Sequence, residues 1–182
     1  MIEHPQVPTK EFICDALKQE DGLYLYFGHG GGESCFSHGD IEKLVDKSSS
    51  PLLGSRASII LMGCSSGALK SVWGKRMLFE PRGIALSYLC AGAPCVVGNL
   101  WDVTDKDIDR FSVSLIKGIY QAEEVTNLAK CTMLSRDACK LRYIIGCAPV
   151  TYGIPVSIRK EVISTRAKRT ADGGNFLTLP TE

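Results

Sequence analysis

The chain has 182 residues, 45% of them hydrophobic and 23% charged, with a formal net charge of +1. That length supports one domain with a sizeable core, and the balanced charge gives no electrostatic case for nucleic acid or an anionic membrane surface. No apolar stretch reaches the about 18 residues of a transmembrane helix, and Met1-Ile2-Glu3-His4-Pro5 lacks the basic and apolar regions of a signal peptide, so an intracellular protein is expected.

Phe12, Ile13, Ala16 and Leu17 fall at helical spacing and predict a helix over 9–20, opened by Thr9. Leu23-Tyr24-Leu25-Tyr26-Phe27 then reads as a buried strand, closed by Gly28-His29-Gly30-Gly31-Gly32. Ile41, Leu44 and Val45 suggest a short helix, and 47–56 a polar connector. Ser58-Ile59-Ile60-Leu61-Met62 is a second buried strand, closed by Gly63-Cys64-Ser65-Ser66-Gly67. Residues 67–79 read as a helix broken at Gly74, 80–83 as a loop, and 84–91 as a helix closed by Gly92. Residues 94–101 form a third buried strand. Thr104 and Asp107 resemble a capping box opening a helix with Ile108, Phe111, Leu115 and Ile119 on one face. Residues 142–158 read as a helix end, a loop and a last strand at 153–156, and the tail from Ala171 as frayed. Strand–helix alternation argues for a parallel α/β sheet with helices on both faces.

Eight cysteines stand at 14, 35, 64, 90, 95, 131, 139 and 147, with no C-x-x-C pair. Most lie in apolar segments, which suits reduced, buried thiols. His29, Cys35 and His38 make an H-x5-C-x2-H cluster that offers zinc three ligands, but no fourth is evident and the spacing fits no common finger.

His29 and Cys64 each end an apolar strand. Side by side in a parallel sheet, the two strands would carry an imidazole and a thiol to the carboxyl edge, where α/β sites form. A base beside a thiol makes a nucleophile near neutral pH. The bland alternative is a buried Cys and a turn His. A serine reading also competes: His29-Gly30-Gly31-Gly32 matches a lipase oxyanion loop, and Gly63-Cys64-Ser65-Ser66-Gly67 satisfies G-x-S-x-G with Ser65 as nucleophile. Chain order separates them. That hydrolase fold places its His after the Ser, whereas His4, His29 and His38 all precede Ser65.

Three segments then carry a family resemblance: Tyr26-Phe27-Gly28-His29-Gly30-Gly31-Gly32-Glu33, Leu61-Met62-Gly63-Cys64-Ser65-Ser66-Gly67, and the stretch LWDVTDKDIDRF from Leu100 to Phe111. Together, from about 23 to 158, they resemble the C-terminal protease domain of separases. The resemblance implies a caspase-like three-layer α/β/α fold with a mainly parallel sheet. It also implies a cysteine endopeptidase that cleaves the cohesin kleisin after Arg to release sister chromatids at anaphase, with no cofactor. Cys64 would be the nucleophile and His29 its base or imidazolium partner. The backbone N–H groups of Gly30 and Cys64 are expected to form the oxyanion hole. A substrate Arg needs a carboxylate, and Asp105 and Asp102, just past the third strand, are the candidates, with Trp101 lining the pocket. Asp107 is assigned to capping. Arg82 and Lys106 are offered for acidic substrate residues. Securin is the implied inhibitory partner, and a helical N-terminal region the scaffold. Cytoplasm and nucleus, including chromatin and spindle, are the implied locations.

Cys35 departs from the aromatic usual in the family, and the segments before the second strand and over 69–81 are longer. The family's protease domain begins before this Met1, so the first strands of the sheet and the helical region are expected to be missing. The expected organisation is a leading helix at 1–22, a protease core at 23–160 and a tail at 161–182. The competing expectation is an inactive fragment that serves only as an interaction module for securin or substrate.

Overall fold

The computed structural model describes residues 8–45, 54–73, 79–121 and 125–158. The tail expected from 161 and most of the 47–56 connector lie outside them.

The sheet is built from β1 (Leu23–Tyr26), β2 (Ser58–Leu61), β5 (Cys95–Asn99) and β7 (Pro149–Gly153), in the order β1-β2-β5-β7. The first three run parallel and β7 closes the edge antiparallel to β5. The sequence dictates this placement: β2 and β5 are continuous apolar runs, buried at every residue, and only strands covered on both faces read that way.

Helices cover both faces, as the alternation implied. Side chains along β2 alternate between two cores. Ile59 and Leu61 pack with α1 (Lys10–Leu17), α2 (His38–Glu42) and α3 (Ile84–Cys90) through Ile13, Leu17, Ile41, Ala85 and Tyr88. Ile60 and Met62 face α4 (Asp105–Tyr120) and α5 (Leu128–Ser135), meeting Ile108, Phe111, Leu115, Leu128 and Cys131. The architecture is the mixed α/β of a caspase-like fold.

Three expectations are corrected. Among the described residues of 67–79 there is no helix: Lys70–Trp73 is a strand, β3, paired antiparallel with β4 (Phe79–Arg82), which replaces the loop expected at 80–83. A short run separates helix from strand poorly by periodicity, and the deciding contact is the antiparallel pairing of Lys70 with Arg82 and Trp73 with Phe79. The last sheet strand lies at Pro149–Gly153, not 153–156. Proline is allowed at a strand's first residue, and Gly153, at φ 95°, ends the strand rather than starting it. Finally, Thr104 is the N-cap of α4 but makes no side-chain cap bond. Asp107 is buried and looks outward from its helix instead. It accepts the amides of Lys140 at 3.0 Å and Leu141 at 2.9 Å, and the Arg110 guanidinium at 2.6 Å. Those amides hold its carboxyl below the usual carboxylate range, with Arg110 adding to the effect. Asp107 thus ties the 139–141 turn to α4.

Two short strands, β6 (Thr126–Asn127) and β8 (Ser157–Ile158), pair antiparallel beside α5.

Candidate active site

Register brings the two motifs together. In the parallel β1–β2 pair Tyr26 stands opposite Leu61, so His29 and Cys64 each lie three residues past a matched pair. The turns that follow are in backbone contact. A Cβ on Gly63 would lie 2.0 Å from the Gly30 carbonyl oxygen and 2.4 Å from that of Gly28, so only glycine admits this approach. The His29 loop is shaped from within. The Tyr26 hydroxyl donates to the His29 carbonyl at 3.0 Å, Gly31 N–H donates to the Glu33 carboxylate at 2.9 Å, and Gly30 sits at φ 61°. Burial raises the Tyr26 pKa, with Cys35 and Glu33 adding, so this hydroxyl keeps its proton.

Cys64 is half-buried and His29 exposed. The thiol is engaged by Val103, donating to its carbonyl at 3.5 Å while Val103 N–H points back at the sulfur at 3.4 Å. Among the described residues the His29 ring makes no hydrogen bond with it. The backbone N–H groups of Gly30 and Cys64 have no protein acceptor among the described residues, and both residues line one cavity of about 1680 Å³ with Glu33, His38, Ser65 and Arg82. That volume exceeds the about 300–1,000 Å³ of small-molecule pockets.

The rest of the Cys64 turn is bolted to its neighbours. Ser65 adopts φ 54°, its N–H donates to the Trp101 carbonyl at 3.1 Å, and its hydroxyl donates to Asp102 at 2.7 Å. A serine nucleophile needs an imidazole there and finds a carboxylate. The Ser66 hydroxyl donates to Leu61 O at 2.8 Å and accepts Asn99 N–H at 3.0 Å, while the Asn99 side-chain amide donates to Gly63 O at 3.0 Å. Tyr152 O–H reaches Gly67 O at 2.8 Å. Asn99 and Tyr152 carried no sequence signal, since a lone Asn or Tyr in a strand looks like any other.

Of the residues expected to take a substrate Arg, Asp102 and Trp101 adjoin Cys64 through Ser65, and neither they nor Asp105 line its cavity. Asp102 is exposed but holds Ser65. Asp105 is exposed at the first residue of α4. Trp101 is 40% exposed, and its indole N–H donates to Ile144 O at 3.0 Å. Arg82 lines the cavity and lies 3.6 Å from Glu80; Lys106 stands exposed on α4.

The H-x5-C-x2-H cluster does not assemble. His38 Nδ1 is 2.7 Å from the Ser87 hydroxyl, Cys35 sits beside Ser34, and no group of three metal-ligating side chains occurs among the described residues. Two other thiols are poor nucleophiles for a physical reason: burial pushes Cys95 up to about 11 and raises Cys139 as well.

Comparison with known proteins places this geometry in context. A family model described as "Separin, protease domain" matches residues 4–108. A separin of Schizosaccharomyces pombe is 46% identical over 160 residues, covering 84% of this chain and 8% of the relative. A Mus musculus separin is 40% identical over 154 residues, covering 85% of this chain and 7% of the relative. Two crystal structures of the Saccharomyces cerevisiae separase–securin complex superpose with TM-scores of 0.68 and 0.67 at 39% and 36% identity. They cover 83% and 84% of this chain and 9% and 10% of theirs. The chain therefore spans under a tenth of the length of the curated relatives it matches.

Proposed function

The chain belongs to the separin protease-domain family, and from that premise we propose that it carries the catalytic centre of a cysteine endopeptidase that cleaves the cohesin kleisin after Arg at anaphase. The observation that supports this most is the backbone contact at Gly63 between the His29 loop and the Cys64 turn, which sets side by side two residues, Gly30 and Cys64, that line one cavity and whose amides have no protein acceptor among the described residues.

In this reading His29 takes the Cys64 proton, and the thiolate attacks the carbonyl carbon of the scissile peptide. The developing oxyanion is met by Gly30 and Cys64 N–H. Collapse breaks the C–N bond, and the His29 imidazolium gives its proton to the leaving amine. Water then attacks the thioester with His29 as base and frees Cys64. A thiol ionises far more readily than a serine hydroxyl, so a third residue is not required.

Asp105 is proposed to pair with the substrate Arg. Asp102 ranks behind it because its carboxylate already accepts the Ser65 hydroxyl at 2.7 Å. Securin, the partner in the superposed complexes, is proposed as the inhibitor here. Action in cytoplasm and nucleus follows from the same reading.

The test is cleavage of a recombinant kleisin by the full gene product. Cys64→Ser and His29→Ala are each expected to abolish it, and retained cleavage by Cys64→Ser would refute the assignment.

A further inference from the structure

Asn99 ends β5 in full burial, directly beneath the Cys64 turn, and it holds that turn at three points. Its N–H donates to the Ser66 hydroxyl at 3.0 Å, its carbonyl accepts Gly67 N–H at 2.8 Å, and its side-chain Nδ2 donates to Gly63 O at 3.0 Å. The third bond is the informative one. Gly63 O belongs to the same planar peptide unit as Cys64 N–H, and in a trans unit those two groups point in opposite directions. A side chain that draws the carbonyl into the interior therefore turns the Cys64 amide outward. That amide has no protein acceptor among the described residues, and Cys64 lines the cavity.

We infer that Asn99 is a positioning residue that aims the Cys64 N–H at the oxyanion, acting through the Gly63–Cys64 peptide. The inference rests on the cysteine-protease reading above. A second observation separates this role from simple packing. Asn99 Oδ1 is buried with no protein partner among the described residues, so the bond to Gly63 O is the one hydrogen bond that this side chain makes there. Its placement serves the Gly63 carbonyl. Leucine has the same branched four-heavy-atom side chain as asparagine, with a larger volume, and it keeps both backbone bonds while removing the side-chain donor.

The test compares two reactions of Cys64 in the full gene product. Peptide hydrolysis builds an oxyanion; alkylation by iodoacetamide displaces iodide at an sp³ carbon and builds none. Alkylation is read by mass spectrometry on the Cys64 peptide, because Cys35 and Cys90 are also exposed. Asn99→Leu is expected to lower kcat about 10²-fold with KM little changed, the size of losing one oxyanion donor, while Cys64 alkylation stays within about threefold of wild type. Asn99→Asp supplies a pH readout. Its carboxylate opposes the Gly63 oxygen, but its protonated carboxyl donates to it. The variant-to-wild-type ratio of kcat is therefore expected to rise as pH falls.

Parallel loss of hydrolysis and alkylation would overturn the inference, as would kcat near wild type in Asn99→Leu. If Asn99→Leu does not fold, a pH-independent Asn99→Asp ratio overturns it. A wild-type protein without Cys64-dependent turnover is a different failure: it removes the protease reading and this inference with it.

Discussion

Gly63→Ala attacks the contact on which the site depends. The added Cβ would stand 2.0 Å from Gly30 O and 2.4 Å from Gly28 O, whereas real Cβ atoms keep at least 3.0 Å from such neighbours. Both obstacles are backbone, so no side chain can swing aside. The His29 loop or the Cys64 turn must retreat by about 1 Å, and a misplacement of that size costs about 10²-fold in rate. The strain adds about 1–3 kcal/mol of destabilisation. Gly39→Ala is the matched control: the same methyl group on α2 meets only Ser37 Oγ, at 3.9 Å. The assay is kcat/KM on a peptide substrate at saturating structural stability, well below the melting transition. Gly63→Ala with wild-type kcat/KM would refute the claim that backbone contact at Gly63 sets the site's geometry. Equal losses in Gly63→Ala and Gly39→Ala would do the same.

Other outcomes follow from single residues. Asp105→Asn is expected to lose cleavage of peptides with Arg before the scissile bond and to spare those with a neutral residue; uniform loss would mark Asp105 as structural, and unchanged Arg cleavage would pass the role to Asp102. Asp107 has a depressed carboxyl pKa, held down first by the Leu141 and Lys140 amides. Its stabilisation is present above the ordinary carboxylate pKa of about 3.9 and is lost as pH falls through the lower folded value. Asp107→Asn should therefore be less stable than wild type at neutral pH and show a shallower acid-side decline in urea unfolding, with faster hydrogen exchange at the Lys140 and Leu141 amides. Gly118→Ala, in α4, brings a Cβ into ordinary contact with Cys131 at 3.7 Å and is expected to stabilise by up to about 1 kcal/mol, read as a higher urea midpoint.

Legibility in the sequence followed burial. β2 and β5 are readable because parallel strands covered on both faces become apolar runs, β1, a half-buried edge strand, because its apolar run closes on a glycine turn, and α4 because Ile108, Phe111, Leu115 and Ile119 keep one stripe. The β3–β4 pair is not legible because a run as short as 70–73 fits a helix as well as a strand, and the antiparallel pairing that decides between them, Lys70 with Arg82 through Trp73 with Phe79, leaves no mark in the local pattern. The Thr104–Asp107 pattern matched a capping box, yet the carboxylate went to amides more than 30 residues away, a tertiary choice that spacing cannot reveal. At the candidate site, His29, Cys64 and Gly30 stand out because strand ends and glycine turns mark themselves. Asn99 and Tyr152 do not, because the side chain of each acts through one hydrogen bond to a backbone carbonyl of the turn that follows another strand.

The central claim, a thiolate at Cys64 generated by His29, meets its most direct test in an active-site label. A peptidyl acyloxymethyl ketone ending in Arg, applied to the full gene product and mapped by mass spectrometry, is expected to form a thioether at Cys64. The adduct should disappear in His29→Ala and be suppressed when excess Arg-containing peptide competes. Adducts at Cys35 or Cys90 with none at Cys64, or Cys64 labelling undiminished in His29→Ala, would contradict it.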